Sequence, residues 1–543
     1  MNANLKRSKG KTLTIIILML SIMLTACSTG GGQTQNQGKS QAGTKPSSST
    51  TVSETPKEEL PKLSLDWLVT APANANLPAK TEDFVIKEIE SRFNVDLNVT
   101  YLAAGNDYVN KTNTLLASNP PVMFRDANGD GGNKYILDGL IADMTPYVTP
   151  EKMPNYFKYW VSELELERYQ VQNQFARAQL PYDRNIYRTL YIRKDWLDNL
   201  KLAVPTNYEE YIEVLRQFRN NDPDQNGKKD TYGFSTAGNG EALGLEWPEY
   251  LKNGLPFPRN IENNTFKDMQ VNPEIQFVID DIVKLIEEDL IDPDWYLNKA
   301  PQHIEKAIQG RVGVVMGTTL NFAYDSNPDG IQVRTKQLFP DANWVPINLF
   351  PDMKQAVKPN PGNPFMFPKK AADRNPEKVE RSVAILDWLA SEEGYVLTHY
   401  GLEGVHYNRT GNELTLNIEA YTKDVIKKGN FLSIWQFFTF VDAPEVFNLT
   451  IIDSRMSDRD REINEYFKTI KLYENEGVSY IAPEGFDLAA FRKRQRELQS
   501  KAVLEDKSGD NWPSYYEELV TTYKGQQLFD KYTEILKSVV ESK

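Results

Sequence analysis

The sequence has almost none of the side chains that build disulfide frameworks or soft-metal centres. Its 543 residues include one cysteine and three histidines, the latter at 303, 399 and 406. One cysteine excludes an intrachain disulfide and any zinc or iron–sulfur site built on several thiolates. Three histidines leave little material for a histidine-based metal centre.

Positive charge is scarce relative to negative charge. The chain has 62 Lys and Arg residues against 75 Asp and Glu residues, a formal net charge of −13. A protein that grips a phosphate backbone needs a basic face, so we expect no nucleic-acid partner. Single hydrophobic cores stop growing beyond about 250–300 residues. A chain of 543 residues therefore predicts more than one domain.

The N-terminus carries a pattern typical of secretory signal peptides. Basic residues at 6, 7, 9 and 11 precede an almost wholly apolar run at 13–24. That run is shorter than the roughly 20 apolar residues of a membrane span. We therefore interpret residues 1–26 as a cleaved signal peptide.

The only cysteine follows this apolar run directly. The sequence Leu24-Thr25-Ala26-Cys27 resembles the lipobox of bacterial lipoproteins. The resemblance implies cleavage before Cys27, diacylglycerol on its sulfur, and acylation of the new N-terminus with a fatty acid such as palmitate. Several acyl chains anchor a protein stably where one does not, so we expect a lipid-anchored protein on the extracytoplasmic face of the cell membrane. An ordinary signal peptide with a chance cysteine is the alternative.

Residues 27–61 are predicted to form a disordered tether after the lipidated cysteine. Gly, Ser, Thr, Gln and Pro dominate this segment, and apolar side chains are nearly absent. Such a composition cannot bury enough surface to fold. At about 5–6 Å × √n, its typical reach is roughly 30 Å.

From residue 63 onward, the pattern of apolar and polar residues is typical of an α/β domain. Apolar and polar residues alternate over 63–69 and again over 95–101, as in half-buried strands, and an amphipathic helix lies between them. This succession predicts the α/β fold class. We predict that Thr81 caps this helix and that Thr206 caps a later one through a capping box with Glu209.

One stretch has the spacing of a calcium-binding loop. Oxygen-bearing side chains stand at loop positions 1, 3, 5 and 9, and a backbone carbonyl is available at position 7. The ligand positions are Asp222, Asp224, Asn226, Lys228 and Asp230. Gly233 replaces the bidentate glutamate of position 12, so further ligands must come from elsewhere. We predict a structural Ca²⁺ ion, with a solvated turn as the alternative.

No signature of a catalytic site is present. The sequence lacks the G-x-S-x-G, H-E-x-x-H, P-loop and dinucleotide-binding motifs. A glycosidase needs only two carboxylates, a requirement that 75 acidic residues neither exclude nor support. We predict that the protein is not an enzyme.

Trp247 and Trp435 stand in turn-like or mixed sequence and could pack on a sugar face, with core packing as the alternative.

Several segments, in their order along the chain, resemble one family. They are 190–197, 204–211, 288–293, 309–316, 379–401 and 404–407. The chain resembles the extracellular solute-binding lipoproteins of bacterial ABC importers, family 1, in the carbohydrate-binding branch. The resemblance implies a two-lobed, periplasmic-binding-protein-like (type II) α/β fold with a hinge between the lobes and the ligand in the cleft. Lobe 1 is predicted at 62–150 plus 350–430, and lobe 2 at 151–349 plus 431–543.

The family's loops also imply candidate ligand-binding residues. In loops after predicted strands they are Asn74, Asn76, Arg125, Asp126, Asn128, Asn321 and Phe322; in lobe 2 they are Trp247 and Trp435; in the turn after the late helix they are His406 and Tyr407. For the polar residues, a solvated loop position is the alternative. Arg125 could pair with a uronate carboxylate, because a guanidinium suits bidentate recognition.

The resulting hypothesis is a monomeric binding protein that captures a carbohydrate, in particular an oligosaccharide, and passes it to the membrane subunits of an ABC permease. Two alternatives stay open. One is an anchored polysaccharide hydrolase or lyase. The other is a receptor for a peptide or signal molecule on the same fold.

Overall fold

The structure is a computed structural model that describes residues 61–72, 74–178, 186, 188–357, 362–438, 443–474 and 477–540. The predicted signal peptide, Cys27 and all of the tether except residue 61 lie outside the described residues. Within the described part of the chain, no helix is both long and apolar enough to cross a membrane.

Thirteen strands form four sheets in the described residues. The strands are β1 Leu63–Ala71, β2 Val95–Ala103, β3 Met123–Arg125, β4 Thr189–Arg193, β5 Tyr232–Phe234, β6 Ile261–Glu262, β7 Thr265–Phe266, β8 Val312–Gly317, β9 Trp344–Ile347, β10 Phe365–Met366, β11 Tyr407–Thr410, β12 Glu413–Leu416 and β13 Thr450–Ile452.

Helices surround these sheets. They are α1 Phe84–Phe93, α2 Asn106–Ala117, α3 Asn133–Leu137, α4 Pro154–Tyr159, α5 Glu163–Arg168, α6 Lys194–Leu200, α7 Tyr208–Asn220, α8 Glu249–Lys252, α9 Ile275–Glu287, α10 Gln302–Ile308, α11 Ile331–Lys336, α12 Lys369–Ala372, α13 Pro376–Leu389, α14 Glu392–Tyr400, α15 Ile418–Asp424, α16 Leu432–Trp435, α17 Asp458–Lys468, α18 Leu488–Lys501, α19 Trp512–Thr521 and α20 Gly525–Val540. Short 3-10 turns span Leu320–Ala323, Ile426–Lys428, Gln436–Phe438 and Pro444–Phe447, and a π-helical turn spans Ala502–Asp506.

The first large sheet has the strand order β10-β3-β1-β2. β1 runs parallel to β2 and to β3, whereas β10 runs antiparallel to β3. Because β1 and β3 are parallel, their carboxyl ends meet at one edge of the sheet. That edge, which we call the first edge, carries Thr70 from β1 and Arg125 from β3.

The second large sheet has the order β5-β8-β4-β9. β5 runs parallel to β8, and β4 runs antiparallel to both β8 and β9. β5, β8 and β9 therefore end where β4 begins. We call this border of the sheet the second edge.

Two large apolar cores correspond to the two sheets. The first core collects buried side chains from 65–178 and 365–449, and the second core collects them from 190–349 and 491–532. This arrangement confirms the two-lobed α/β fold. Tyr156, Tyr169 and Trp435 belong to the first core, although the predicted lobe boundaries put them in lobe 2.

Three stretches of sequence, 179–189, 350–364 and 450–490, separate the residues of the two cores, and we call the described residues of these stretches the crossing segments. Residues of these segments pair with one another: Ile186 bridges to Val357, and Gln355 bridges to Leu472. Phe365, where the second crossing segment ends, pairs with Arg125 of β3. The crossing segments therefore reach the first sheet directly beside the first edge.

Two predicted helix caps are displaced in the structure. Asp83, not Thr81, caps α1, and its carboxylate accepts the backbone N–H groups of Val85 and Ile86. Asn207, not Thr206, caps α7. Both predictions were wrong by one or two residues, because a better acceptor stood closer to the first apolar position.

Candidate ligand-binding site

Arg125 is the most constrained polar side chain of the first edge. Its guanidinium donates to the Thr70 hydroxyl and lies over the ring of Phe437, with 4.2 Å from the guanidinium carbon to the ring centroid. No carboxylate among the described residues lies within salt-bridge distance of it, and its buried Nε has no hydrogen-bond partner. Burial lowers the pKa of Arg125 to about 10. A buried cation with unused donor capacity is suited to an anionic or hydroxyl-bearing ligand.

Asp126 follows Arg125 in the sequence, and its side chain is fully buried. One carboxylate oxygen accepts the backbone N–H of Asn128 at 3.2 Å, while the other has no partner. Burial raises the pKa of Asp126 to about 6. The carboxyl group therefore gains or loses its proton within the physiological pH range.

Arg177 supports this corner of the first lobe, and sequence reasoning missed it. Its fully buried guanidinium donates to the carbonyls of Gly131 and Tyr169 and to the side chain of Asn133. It thus holds the glycine-rich loop that follows Asp126. The available signal was an arginine inside the otherwise apolar stretch 175–178.

The asparagines predicted beside this edge lie at the surface. Asn74, Asn76 and Asn128 are exposed loop residues, and the backbone N–H of Asn76 donates to Gly429 at 2.8 Å. Their role in ligand contact stays a prediction.

A cavity of about 90 Å³ lies at the second edge. Its lining is mostly apolar and comes from the segment around α8, from the ends of β8 and β9, from the start of β4 and from the second crossing segment. The lining residues are Arg188, Thr189, Leu190, Leu245, Trp247, Pro248, Tyr250, Leu251, Leu255, Pro256, Phe257, Met316, Ile347, Asn348, Leu349, Phe350, Gln355 and Ala356. Apolar walls with a few polar groups are typical of small-molecule sites.

Trp247 is the predicted ligand residue that reaches this cavity. Its indole N–H donates to the carbonyl of Leu243 at 2.7 Å, and its ring packs edge-on against Trp295 at a centroid distance of 5.3 Å. These contacts hold the ring rigidly in the cavity wall. Ligand contact by Trp247 stays a prediction.

Trp435, His406 and Tyr407, also predicted to contact the ligand, are buried in the first lobe. Trp435 is fully buried and donates its indole N–H to the Asp83 carboxylate at 2.9 Å. His406 is buried against Phe84 and accepts the Leu402 N–H at 2.9 Å. Tyr407 is buried in β11. Long-range packing covers these three side chains in the structure, and ligand contact by them stays a prediction.

Asn321 and Phe322 lie in the 3-10 turn that follows β8. Asn321 is exposed, whereas the ring of Phe322 packs against Tyr191 with centroids 5.0 Å apart. Phe322 therefore packs against the second sheet, and ligand contact by Asn321 and Phe322 stays a prediction.

In the predicted calcium loop, the side chains form hydrogen bonds with other groups of the same loop. The Asp222 carboxylate accepts the backbone N–H groups of Asn226 and Gly227 at 3.0 and 2.9 Å. The Asn226 amide nitrogen lies 2.8 Å from Asp224 and 3.2 Å from Asp230. The loop is thus closed by hydrogen bonds among its own groups, and burial together with a hydrogen bond to Asp222 raises the pKa of Asp224. No cluster of three or more His, Cys, Asp or Glu side chains in the described residues is arranged to hold a metal ion.

Two proteins of Bacillus subtilis are similar to this chain in sequence. No protein-family profile matches the chain. The chain is 26% identical over 441 residues to the polygalacturonan/rhamnogalacturonan-binding protein YtcQ of Bacillus subtilis, covering 76% of both chains. It is 23% identical over 369 residues to the lipoprotein LipO of the same organism, covering 63% of this chain and 67% of LipO.

Solved structures show the same fold at lower sequence identity. An extracellular solute-binding protein from Bifidobacterium longum subsp. infantis matches with a TM-score of 0.63 and 17% identity, covering 88% of this chain and 98% of that one. An EF-hand mutant of the Streptococcus pneumoniae ABC-transporter substrate-binding protein FusA, in complex with fructo-nystose, matches with a TM-score of 0.61 and 14% identity, covering 88% and 100%. These findings confirm the resemblance to bacterial solute-binding proteins.

Proposed function

We propose that the protein is a lipid-anchored extracellular solute-binding protein that captures an oligosaccharide for import by an ABC permease. The observation that carries the proposal is the pair of strand-end edges, one on each lobe. Both lie beside the crossing segments: Arg125 pairs with Phe365, and Gln355 and Ala356 line the cavity of the second edge. A ligand held between them would contact both lobes, which is how hinged binding proteins couple capture to closure.

The ligand we propose is an oligosaccharide that contains uronic acid. Arg125 offers a buried guanidinium without a carboxylate partner in the described residues, and Arg188 lines the cavity on the other lobe. Guanidinium groups bind carboxylates in a bidentate manner. The YtcQ relative is a polygalacturonan/rhamnogalacturonan-binding protein, which supports the same class of ligand.

A ligand panel tests this proposal. Thermal unfolding of the purified protein is followed with trigalacturonate, with the neutral trisaccharide kestose and with a tripeptide. Trigalacturonate should raise the melting temperature, because a ligand that binds only the native state stabilises it by about 2.7 kcal/mol at 100 Kd. Chromatography of each mixture should return the sugar intact.

The outcomes separate the alternatives. Shortened sugar would identify a hydrolase or lyase, and a response to the peptide alone would identify a peptide receptor. Replacement of Arg125 by Gln should weaken trigalacturonate binding at least tenfold and leave kestose unaffected, since one charge-assisted contact is lost. Replacement of the exposed Arg374 by Gln is the matched control.

We further propose that the loop from Asp222 to Asp230 holds a structural Ca²⁺ ion. Hard oxygen donors at its ligand positions suit Ca²⁺. One Asp224 oxygen is buried without a partner, and a half-turn of the Asn226 amide would point its oxygen at the centre of the loop, since amide orientation is assigned from hydrogen bonding. The FusA neighbour carries an EF-hand, which supports the same assignment.

A further inference from the structure

A carboxylate and an imidazole meet at the second edge, outside every residue that sequence reasoning selected. Glu246 precedes the cavity wall residue Trp247, and His303 lies on α10. The Glu246 carboxylate accepts the Thr236 hydroxyl at 2.7 Å and lies 3.3 Å from His303 Nε2. Thr236 follows β5, so all three side chains stand where β5 ends.

The imidazole of His303 is buried but lacks hydrogen-bond partners. Its side chain is 4% exposed, and neither ring nitrogen has a hydrogen bond of acceptable geometry in the described residues. A buried polar group without a partner costs about 1–3 kcal/mol. Such a group, held beside a cavity, is suited to a partner that arrives with a ligand.

A polar network beneath this pair fixes its position. Asp292 accepts Lys306 at 2.8 Å, Asn298 at 2.8 Å and Ser235 at 2.8 Å. Lys306 lies one turn after His303 on α10, and Ser235 precedes Thr236. The network therefore ties α10 to the end of β5 and holds His303 and the Glu246 contact in place before any ligand binds.

The chain neighbours of Glu246 line the apolar cavity. Leu245 and Trp247 both contribute to its wall, as does Arg188, and the Glu246 side chain is 16% exposed. Glu246 thus connects the cavity wall to His303. A sugar ring has this complementary pattern, with C–H groups on a face and hydroxyl groups at the rim.

We propose that Glu246 and His303 form the hydroxyl-binding subsite of the second lobe, specific for a pyranose unit with two adjacent unsubstituted hydroxyl groups. One hydroxyl donates to the Glu246 carboxylate, and its neighbour exchanges a hydrogen bond with His303. The C–H face of the ring packs against the cavity wall at Trp247. The inference rests on the proposed sugar-binding function and adds residues and a substitution requirement to it.

The three histidines of the chain make a direct test possible. The protein is labelled with ¹³C-histidine, and its imidazole signals are assigned from the His303→Gln, His399→Gln and His406→Gln variants. Addition of trigalacturonate or kestose to the wild-type protein should shift the His303 signal. His399 and His406, buried in the first lobe, should not move.

Affinity measurements complete the test. Glu246→Gln should weaken binding about tenfold to a hundredfold, because a hydrogen bond to a charged acceptor is lost. Glu241→Gln, at an exposed position of the same loop, should bind within twofold of wild type. Trigalacturonate acetylated on its ring hydroxyls should bind no better to wild type than to Glu246→Gln.

The results distinguish a wrong subsite from a wrong proposed function. If the wild-type protein binds sugar while the His303 signal stays fixed and Glu246→Gln binds normally, the subsite is wrong and the proposed function stands. If the wild-type protein binds neither sugar, the proposed function fails and the subsite fails with it. The signal shift is measured on the unmodified protein, so instability of a variant does not obscure the outcome.

Discussion

At the scale of single residues, burial in this fold changes the pKa of carboxyl groups. Glu249 is fully buried, and one of its oxygens accepts the Tyr208 hydroxyl at 2.8 Å while the other has no partner. Burial raises the pKa of Glu249 to about 7. The folded protein therefore prefers the protonated acid, whereas an unfolded glutamate has a pKa near 4.3.

The sign of the pH dependence follows from this difference. The stability that Glu249 contributes is fully present below about pH 4 and is lost as the pH rises through about 7. Glu249→Gln, which mimics the neutral acid, should gain stability relative to wild type between pH 4 and pH 8, by on the order of 3 kcal/mol. Urea unfolding at both pH values measures the gain. The exposed Glu287→Gln variant should show no such trend, and an equal trend in both variants would refute the assignment.

At the scale of elements, α17 shows how one helix is held against the second lobe. Its residue Asp460 is fully buried and accepts the backbone N–H groups of Asp325 and Ser326 at 2.7 and 3.0 Å. Its neighbour Arg459 donates to the carbonyls of Ala323 and Trp344. These contacts attach α17 to the turn that follows β8, beside the second edge.

Removal of the Asp460 carboxylate should loosen this attachment. Asp460→Ala leaves three backbone donors without this acceptor, those of Asp325, Ser326 and Ser457, so we expect a loss of about 2–4 kcal/mol in the free energy of unfolding. Asp458→Ala, on the exposed side of the same helix, should change it by less than about 1 kcal/mol. The urea midpoint at constant slope measures both. Equal losses would show that the effect belongs to the helix as a whole.

The loop from Asp222 to Asp230 makes a prediction about metal removal. A chelator should lower the melting temperature of the wild-type protein, because Ca²⁺ that binds only the native state stabilises it. Asp224→Ala should melt at the lower temperature with or without chelator. The exposed, distant Asp373→Ala variant should keep the wild-type response. If neither Ca²⁺ nor chelator changes the melting temperature of the wild-type protein, the loop is a solvated turn.

At the scale of the whole molecule, the structure has two cores connected by the three crossing segments, and the proposed function requires the two lobes to close on a ligand. The predicted anchor joins this body to a membrane through residue 27, outside the described residues. Anchoring by acyl chains requires no contact between the folded body and the bilayer.

Lipid attachment is tested on the whole chain. Cells that express the protein and are fed radiolabelled palmitate should incorporate label into the wild-type protein and not into Cys27→Ala. Ser28→Ala, altered one residue further on, should be labelled like wild type. Label retained in Cys27→Ala would place the acyl group elsewhere and remove the basis for the lipobox interpretation.

Much of the fold could be predicted from local patterns. Alternation over 63–69 and 95–101 predicted β1 and β2, and the helix between them was predicted from its apolar face. These signals are local because a strand or helix repeats its buried face every two or 3.6 residues. The caps of α1 and α7 were misplaced by one or two residues, since neighbouring Thr, Asp and Asn side chains compete as acceptors and only the backbone path decides between them.

The sequence by itself determined the α/β class, the resemblance to solute-binding proteins and the position of Arg125 at a strand end. The tertiary structure alone decided where each aromatic side chain packs, since both Trp247 and Trp435 are buried but only Trp247 also lines the cavity of the second edge. Trp435 donates to Asp83, 352 residues away, and Glu246 meets His303 from a different element. Such contacts leave no local pattern, because they depend on which distant segments the fold brings together, whereas periodicity reports only the face that each segment buries.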